Sequence, residues 1–222
     1  MKTFKLHLIR HGMTAGNLQG LYIGSGTDIP LCDEGRAQLN ELKERFEYPQ
    51  VDTVFSSPLL RAVETANILF PDAKHTFTVH DLREAGFGKF ENKPVKELVH
   101  DEDFKKWITP GSGYVPEGAE PTDQFHARCA ESLMKLFEYM IRMDVTEAAC
   151  VTHGGVIMSM LSSARCPPAP GAVDGRPRLR LHGADRCAAV DAGPSGGSHR
   201  HRALWLCRYP ARSGRSRGKR GL

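Results

Sequence analysis

Apolar and polar positions alternate over Phe4–Arg10, and this two-residue period predicts a strand that carries Phe4, Leu6 and Leu8 on one face. Short apolar runs and segments with helical spacing then follow one another up to about residue 163. Because strands alternate with helices, the pattern predicts a three-layer α/β fold around a mostly parallel central sheet. The further predicted elements are helices over Asp33–Glu47, Pro58–Phe70, Asp123–Met143 and Gly154–Ser162, and strands over Val51–Ser57, Thr76–Val79 and Ala148–Thr152.

The longest predicted helix, Asp123–Met143, has an apolar stripe at helical spacing, and we expect this stripe to face the sheet. The stretch from residue 84 to residue 118 is instead rich in glycine, proline and charge. There we expect an irregular excursion with short helical turns. The residues of the apolar stripe are Phe125, Cys129, Leu133, Leu136, Phe137 and Met140.

The composition divides the chain at residue 163. Of the 222 residues, 40% are hydrophobic and 25% are charged, which is an ordinary balance for a globular protein. Residues 1–163 carry 17 Lys and Arg against 23 Asp and Glu, whereas residues 164–222 carry 13 against 3 and consist largely of Ala, Gly, Pro and Arg. We therefore predict one domain over residues 1–163 and a separate tail over residues 164–222.

Two interpretations of this tail stay open. Its positive charge is typical of a disordered segment that binds nucleic acid or another acidic partner. Its composition also fits a GC-rich gene read out of frame, since the codons of Ala, Gly, Pro and Arg are rich in G and C. We favour the frameshift, because the change at Ser163–Ala164 falls inside a helical pattern; translation around codon 163 in all three frames distinguishes the two. The tail lacks apolar periodicity, so we expect no sheet strand after residue 163 and a poorly folded chain.

Three predicted strands end in residues with suggestive chemistry. Arg10–Gly12 follows the first strand, Ser56–Pro58 leads to Arg61 after the second, and His153–Gly155 follows the last. Ligands of such sheets bind at the carboxyl ends of the strands. We therefore expect these segments to meet in one site.

The residues at these strand ends suit chemistry on a phosphoryl group. A neutral imidazole is a competent nucleophile toward phosphorus, and neighbouring cations would keep His11 neutral. Arg10 and Arg61 offer forked donors to phosphoryl oxygens, and His153 at the start of a helix suits an anion. Glu84, after the third strand, is the best-placed carboxylate to protonate a leaving alkoxide. Each residue alone would be a structural histidine or a surface charge, but their joint placement favours a functional site.

Four segments, in order, resemble the signatures of the histidine phosphatase superfamily, which has the phosphoglycerate mutase-like fold. Leu8–Asn17 resembles its R-H-G-x-T-x-x-N motif, and Ser56–Ala66 resembles its S-S-P-L-x-R-A-x-x-T-A element. Leu82–Glu91 is similar to L-x-E-x-x-F-G-x-W-E, with Phe90 in place of Trp, and Val151–Gly155 resembles the second histidine motif. The resemblance ends at about residue 163, so residues 1–163 are predicted to be a histidine phosphatase domain that is truncated at its C-terminal end.

The resemblance implies a phosphohistidine intermediate on His11, with Glu84 as the proton donor. It further implies that Arg10, Arg61 and His153 hold the phosphoryl oxygens. No metal and no other cofactor is expected. The remaining predicted substrate-binding residues are Asn17, Gly24 and Gly154.

Among the activities of this superfamily, we predict a phosphatase that hydrolyses a small phosphorylated metabolite. A mutase of this superfamily carries a long basic insertion after the acid glutamate, whereas residues 84–123 balance their lysines with carboxylates. Gly20–Leu31 resembles the alpha-ribazole phosphatase branch, which makes alpha-ribazole phosphate a candidate substrate. The alternatives are a cofactor-dependent phosphoglycerate mutase and a non-enzymatic protein, either an inactive family member or a nucleic-acid binder.

We expect a cytoplasmic protein whose partner is a small phosphomonoester. His7 and Arg10 interrupt the apolar run at the N-terminus, no small-residue cleavage site follows, and no stretch reaches the roughly 18 apolar residues of a membrane span. We expect no membrane partner and, despite the basic tail, no nucleic-acid partner. The pattern leaves the oligomeric state open.

Overall fold

The computed structural model describes residues 2–165 together with residues 180–182 and 205–210. Short 3₁₀ turns at His80–Leu82 and Gly88–Phe90 flank the segment that carries Glu84. The helices and strands, in chain order, are β1 (Thr3–Arg10), α1 (Ala15–Leu18), β2 (Leu21–Tyr22), α2 (Asp33–Arg45), β3 (Thr53–Ser56), α3 (Leu60–Leu69), β4 (His75–Thr78), β5 (Lys93–Pro94), α4 (Val95–Leu98), α5 (Glu102–Ile108), α6 (Thr122–Arg142), β6 (Glu147–Thr152), α7 (Gly154–Arg165), β7 (Arg180–His182) and β8 (Trp205–Pro210).

Four parallel strands form the centre of the sheet, in the spatial order β4-β3-β6-β1. The register places Arg10 of β1 opposite Thr152 of β6, and Ser56 of β3 opposite Val151. Each parallel connection runs through a helix, as a parallel pair requires. The predicted α/β fold with a mostly parallel sheet is confirmed, and the carboxyl ends of three strands lie side by side.

Helices cover both faces of the sheet, because successive side chains of a strand point to opposite faces. Leu6 and Leu8 pack with the apolar sides of α6 and α7, whereas Ile9 and Val151 pack with α2 and α3. All six apolar residues predicted for the stripe of α6 are buried. Among the helices that the structure describes, none is both long and apolar enough to cross a membrane.

A small apolar cluster holds the excursion between β4 and α6 in place. Phe90, Leu98 and Phe104 are buried there, and Tyr22 and Trp107 pack against them. The two-residue strands β2 and β5 pair antiparallel and join this excursion to the loop after α1. The irregular segment predicted from residue 84 to residue 118 therefore has its own core, built largely from aromatic rings.

In the described residues after α7 there are two strands, where we expected none. β8 pairs antiparallel with the outer edge of β1, with Thr3 opposite Pro210 and Leu8 opposite Trp205, and β7 pairs with β8. Backbone pairing needs only unpaired N–H and C=O groups, which the edge of β1 offers, so it does not depend on the apolar periodicity that the tail lacks. Residues 166–179, 183–204 and 211–222 lie outside the described part of the chain, and so does most of the predicted tail.

Candidate active site

The carboxyl ends of β1, β3 and β6 meet at one point of the sheet. The His11 N–H donates to the Thr152 carbonyl (2.9 Å), and the Ser57 N–H donates to the Val151 carbonyl (2.9 Å). The end of β6 thus holds the residues that follow both neighbouring strands. His153 is the next residue of β6 itself, so the two predicted histidines come together as the strand order requires.

His11 is held in one tautomer by its own backbone neighbour. Its Nδ1 lies 2.7 Å from the Gly12 carbonyl oxygen, which can only accept, so Nδ1 carries the proton. Burial and, to a smaller extent, the charges of Arg61 and Arg10 lower the pKa of His11 to about 3. The imidazole is therefore neutral near pH 7, and Nε2 has a free lone pair.

His153 lies against His11, with their ring centroids 5.1 Å apart. The Nε2 atom of His153 is 2.7 Å from the Ser57 hydroxyl, which in turn accepts the Leu59 N–H at 3.3 Å. Burial and the charges of His11 and Arg61 lower the pKa of His153 well below its ordinary value. Its Nδ1 is buried and has no hydrogen-bond partner among the described residues.

Arg61 is buried, with 2% of its surface exposed. Its Nη1 and Nη2 donate to the carbonyls of Thr27 (3.0 Å) and Gly24 (2.9 Å), which leaves three of its five N–H groups for other acceptors. The Gly24 N–H is also engaged, because it donates to Glu91 Oε2 at 3.0 Å. Gly24, which we predict to bind substrate, is not among the residues that line the adjacent cavity, and its carbonyl accepts a hydrogen bond from Arg61.

Glu91 organises the loop that anchors Arg61. Its two carboxylate oxygens accept the N–H groups of Gly24, Gly26 and Phe87 and the hydroxyl of Thr27, at 3.0–3.2 Å. The sequence motif includes Glu91, but we assigned it no role. A carboxylate that accepts three donors from a distant loop needs the folded chain around it, so spacing alone does not reveal this function.

Glu84 is the buried carboxylate of the site. Its Oε1 accepts the Ala85 N–H and its Oε2 accepts the Gly155 N–H, both at 3.0 Å. Burial raises the pKa of Glu84, although the two backbone bonds and the charges of Arg61 and Arg10 oppose that rise. Burial is the largest influence on this pKa and outweighs the two arginines.

A cavity of about 610 Å³ opens in front of these residues. Of the predicted site residues, Arg10, His11, Asn17, Glu84 and Gly154 line this cavity, whereas Arg61 and His153 are buried and are not among its lining residues. The aromatic rings of Tyr22 and Phe87 stack at 4.1 Å and meet Trp107 edge-on, which forms one wall. The cavity lining also contains His126 and Ser159, whose side chains form a hydrogen bond of 2.8 Å.

Asn17 reaches this cavity because of a local cap. Thr14 and Asn17 form a capping box at the start of α1, and Asn17 Oδ1 accepts the Thr14 N–H and hydroxyl at 3.1 and 3.0 Å. With its oxygen engaged in this cap, the Asn17 amide NH₂ is the part of the side chain that can donate to a ligand. The sequence predicted Asn17 from its motif, and the cap explains how a four-residue helix orients it.

Comparisons with known proteins agree with this arrangement. A sequence model of the histidine phosphatase superfamily (branch 1) matches residues 6–172, and the chain therefore belongs to this superfamily of enzymes. The chain is 32% identical over 193 residues to fructose-2,6-bisphosphatase TIGAR B of Danio rerio, a match that covers 82% of this chain and 69% of the relative. It is 28% identical over 168 residues to adenosylcobalamin/alpha-ribazole phosphatase of Salmonella typhimurium, covering 74% and 81%.

The fold is also similar to solved structures of such proteins. The crystal structure of the alpha-ribazole phosphatase from Shigella flexneri superposes with a TM-score of 0.63 at 27% identity, and the match covers 72% of this chain and 79% of that one. The superfamily and the phosphoglycerate mutase-like fold inferred from the four motifs are thereby confirmed. The sequence motifs and the fold each indicate the same superfamily.

Proposed function

We propose that the chain hydrolyses a small phosphomonoester through a phosphohistidine on His11. In the first step, His11 Nε2 forms a bond to phosphorus as the bond from phosphorus to the ester oxygen breaks, and Glu84 gives its proton to that oxygen. In the second step, a water oxygen forms a bond to phosphorus as the bond from phosphorus to Nε2 breaks, Glu84 takes up a proton from the water, and inorganic phosphate leaves with His11 restored. No oxidant, reductant or second substrate is needed.

The observation that carries this proposal is the state of His11. A nucleophilic imidazole must be neutral, with its lone pair on the nitrogen that faces the substrate. The Gly12 carbonyl holds the proton on Nδ1, and the pKa of about 3 keeps the ring neutral at physiological pH. A histidine with a merely structural role, in a cavity beside two arginines, would not need both a fixed tautomer and a neutral ring.

Three side chains, those of Arg10, Arg61 and His153, support the proposal that phosphoryl oxygens bind here. Arg10 lines the cavity, and Arg61 lies close enough to both His11 and Glu84 to influence their pKa values. If the Ser57 hydroxyl donates to His153 Nε2, the buried Nδ1 of His153 carries a proton that has no acceptor in the described residues. An anionic oxygen at that position would satisfy a donor that is otherwise costly to bury.

Glu84 supports the role of proton donor because its burial favours the protonated form. The bonds from Ala85 and Gly155 hold the carboxyl group at the cavity wall, where it would meet the leaving oxygen. After the first step, the same carboxylate is charged and is placed to accept a proton from water. One residue thus serves both steps, as microscopic reversibility requires of a hydrolase of this type.

For the substrate we propose a monoester whose leaving group carries a flat ring, of which alpha-ribazole phosphate is the leading candidate. Tyr22, Phe87 and Trp107 provide an aromatic wall on which such a ring would stack. Among the described residues that line the cavity, Arg10 is the one arginine or lysine. A bisphosphorylated substrate would need a second cluster of cations, so we expect bisphosphates to be poorer substrates.

The covalent step is tested with a phosphomonoester labelled on phosphorus, quenched without acid because phosphohistidine is acid-labile. We expect the label on the peptide that contains His11, and no label on His11→Asn. The matched control is His100→Asn, since His100 is exposed between α4 and α5. Label on another residue, or turnover of His11→Asn at the parental rate, would contradict the proposal.

The substrate is tested by phosphate release from three compounds at equal concentration. We expect alpha-ribazole phosphate to have a higher kcat/KM than fructose 2,6-bisphosphate or 2,3-bisphosphoglycerate, and Trp107→Ala to reduce that preference. Phosphate exchange between the positions of glycerate without net release would instead identify a mutase. Faster release from either bisphosphate would refute the proposed substrate class and leave the histidine mechanism intact.

A further inference from the structure

Arg128, in the first half of α6, uses all five of its N–H groups. Nη1 donates to the carbonyls of Asp81 (2.9 Å) and Arg83 (2.8 Å), and Nη2 donates to the carbonyl of Glu84 (3.0 Å). The remaining two N–H groups form a pair of parallel bonds to Glu120, at 2.6 and 2.7 Å. An arginine that served only an ion pair would need two donors, whereas here three donors go to one short stretch of backbone.

The three carbonyls belong to the segment that ends in Glu84. This segment begins within the 3₁₀ turn that follows β4, and it is not part of a named strand. Thr152 Oγ1 donates to the Leu82 carbonyl at 2.6 Å, which adds a contact from β6. Arg128 therefore binds the carbonyls of the residues on both sides of Leu82, and it fixes the backbone that carries the Glu84 side chain.

Glu120 completes this arrangement from the other side of Glu84. Its backbone N–H donates to the Gly86 carbonyl at 2.9 Å, while its carboxylate holds the Arg128 guanidinium. Burial would raise the pKa of Glu120, but the bonds and charge of Arg128 hold it below its ordinary value, so the pair is charged. The backbone is thus bound at residues 81, 83 and 84 by the Arg128 side chain and at residue 86 by the Glu120 N–H, and the two side chains neutralise each other.

We propose that Arg128 is a positioning residue that sets the location of the proton-donating carboxyl of Glu84. This inference rests on the proposed function, because it assumes that Glu84 is the proton donor. Arg128 does not touch the cavity; its effect passes through the backbone of residues 81–84. A lysine cannot replace it, because a single ammonium group lacks the planar fork that reaches three separated carbonyls and a carboxylate.

The role predicts a loss that depends on the leaving group. Displacing a catalytic group by about 1 Å can cost about 10²-fold in rate. We expect Arg128→Lys to lower kcat for an aliphatic ester such as glycerol 2-phosphate by about 10- to 10²-fold, with little change in KM. For p-nitrophenyl phosphate, whose leaving group needs little protonation, we expect a change of at most about threefold.

The decisive experiment is a double-mutant cycle on the full chain, with Arg128→Lys, Glu84→Gln and the combined variant assayed on both esters. If Arg128 acts through Glu84, the combined variant should be no slower with the aliphatic ester than Glu84→Gln alone. The control is Lys135→Met on the same helix, which removes an exposed pair with Glu131 and should stay within about twofold of the parent. Melting temperatures of all variants report on any loss of folding.

The outcomes separate the two proposals. Equal losses with both esters, or losses that multiply in the combined variant, would show that Arg128 is only structural and would overturn the inference. Parental rates for Glu84→Gln with both esters would instead overturn the proposed proton donor. If the melting temperature shows that Arg128→Lys is unfolded, Glu120→Gln takes its place in the cycle, because it loosens the guanidinium and leaves the three backbone bonds available.

Discussion

A substitution at Gly155 is expected to move the Glu84 carboxyl group without a large change in the stability of the fold. It is the second residue of α7, and its N–H donates to Glu84 Oε2. A Cβ atom added at Gly155 would lie 2.4 Å from Glu84 Oε1 and 3.1 Å from the carboxyl carbon. Because the obstacle is the end of a flexible side chain, we expect Gly155→Ala to push the carboxyl group aside and to leave the backbone in place.

The size of the effect follows from these distances. An ordinary contact requires roughly 3.4 Å, so the carboxyl oxygen must move by about 1 Å, and such a displacement of a catalytic group can cost about 10²-fold in rate. Alanine is favoured over glycine in a helix by up to about 1 kcal/mol, which opposes the strain. We therefore expect kcat for an aliphatic phosphate ester to fall about 10²-fold while the melting temperature changes by less than about 4 °C.

The assay compares initial rates for glycerol 2-phosphate and p-nitrophenyl phosphate, with thermal unfolding followed by circular dichroism. The matched control is Gly86→Ala, two residues from Glu84, where the added Cβ would meet its nearest atoms at 3.5 and 3.7 Å. We expect the control to keep the parental rates. A Gly155→Ala variant with the parental rate for the aliphatic ester would refute the reasoning, and so would equal losses in both variants.

Two further predictions concern the loop that anchors Arg61 and the dependence of stability on pH. In Glu91→Gln, an amide NH₂ faces backbone N–H donors that bind a carboxylate oxygen in the parent chain. We therefore expect the free energy of unfolding in urea to fall by about 1–3 kcal/mol and the rates for both esters to fall equally. A variant with the parental stability would contradict this. The pKa of His11 is about 3 in the folded chain and near 6.5 in the unfolded chain, so protons bind the unfolded state first, and stability should decrease as the pH falls from 6.5 toward 3. His11→Asn should flatten that slope between pH 7.5 and 5, and an unchanged slope would refute the assignment. The raised pKa of Glu84 acts in the opposite direction: the stability from its protonated form is lost as the pH rises through that pKa, and Glu84→Gln removes this contribution.

The spacing of residues along the sequence was enough to predict much of the fold and most of the candidate site. The period of apolar positions predicted β1, α6 and the alternation of strands with helices, because burial of one face depends on spacing between near neighbours. Boundaries were less accurate: α3 begins at Leu60 rather than at Pro58, since the Leu60 N–H is capped by Asp28, a residue far away in sequence. His11 and His153 could be predicted because strand ends of a parallel sheet share one edge.

The tertiary structure alone decided which hydrogen bonds these groups form and how their pKa values shift. Glu91 bonds to Gly24 from 67 residues away, and Arg128 bonds to the Glu84 carbonyl from 44 residues away, so no local pattern reveals either contact. The proton on His11 Nδ1 depends on one carbonyl, and the pKa of Glu84 depends on burial from several elements at once. Periodicity reports which side of an element is buried; which atoms meet there depends on how distant segments pack, and that packing sets the chemistry of the site.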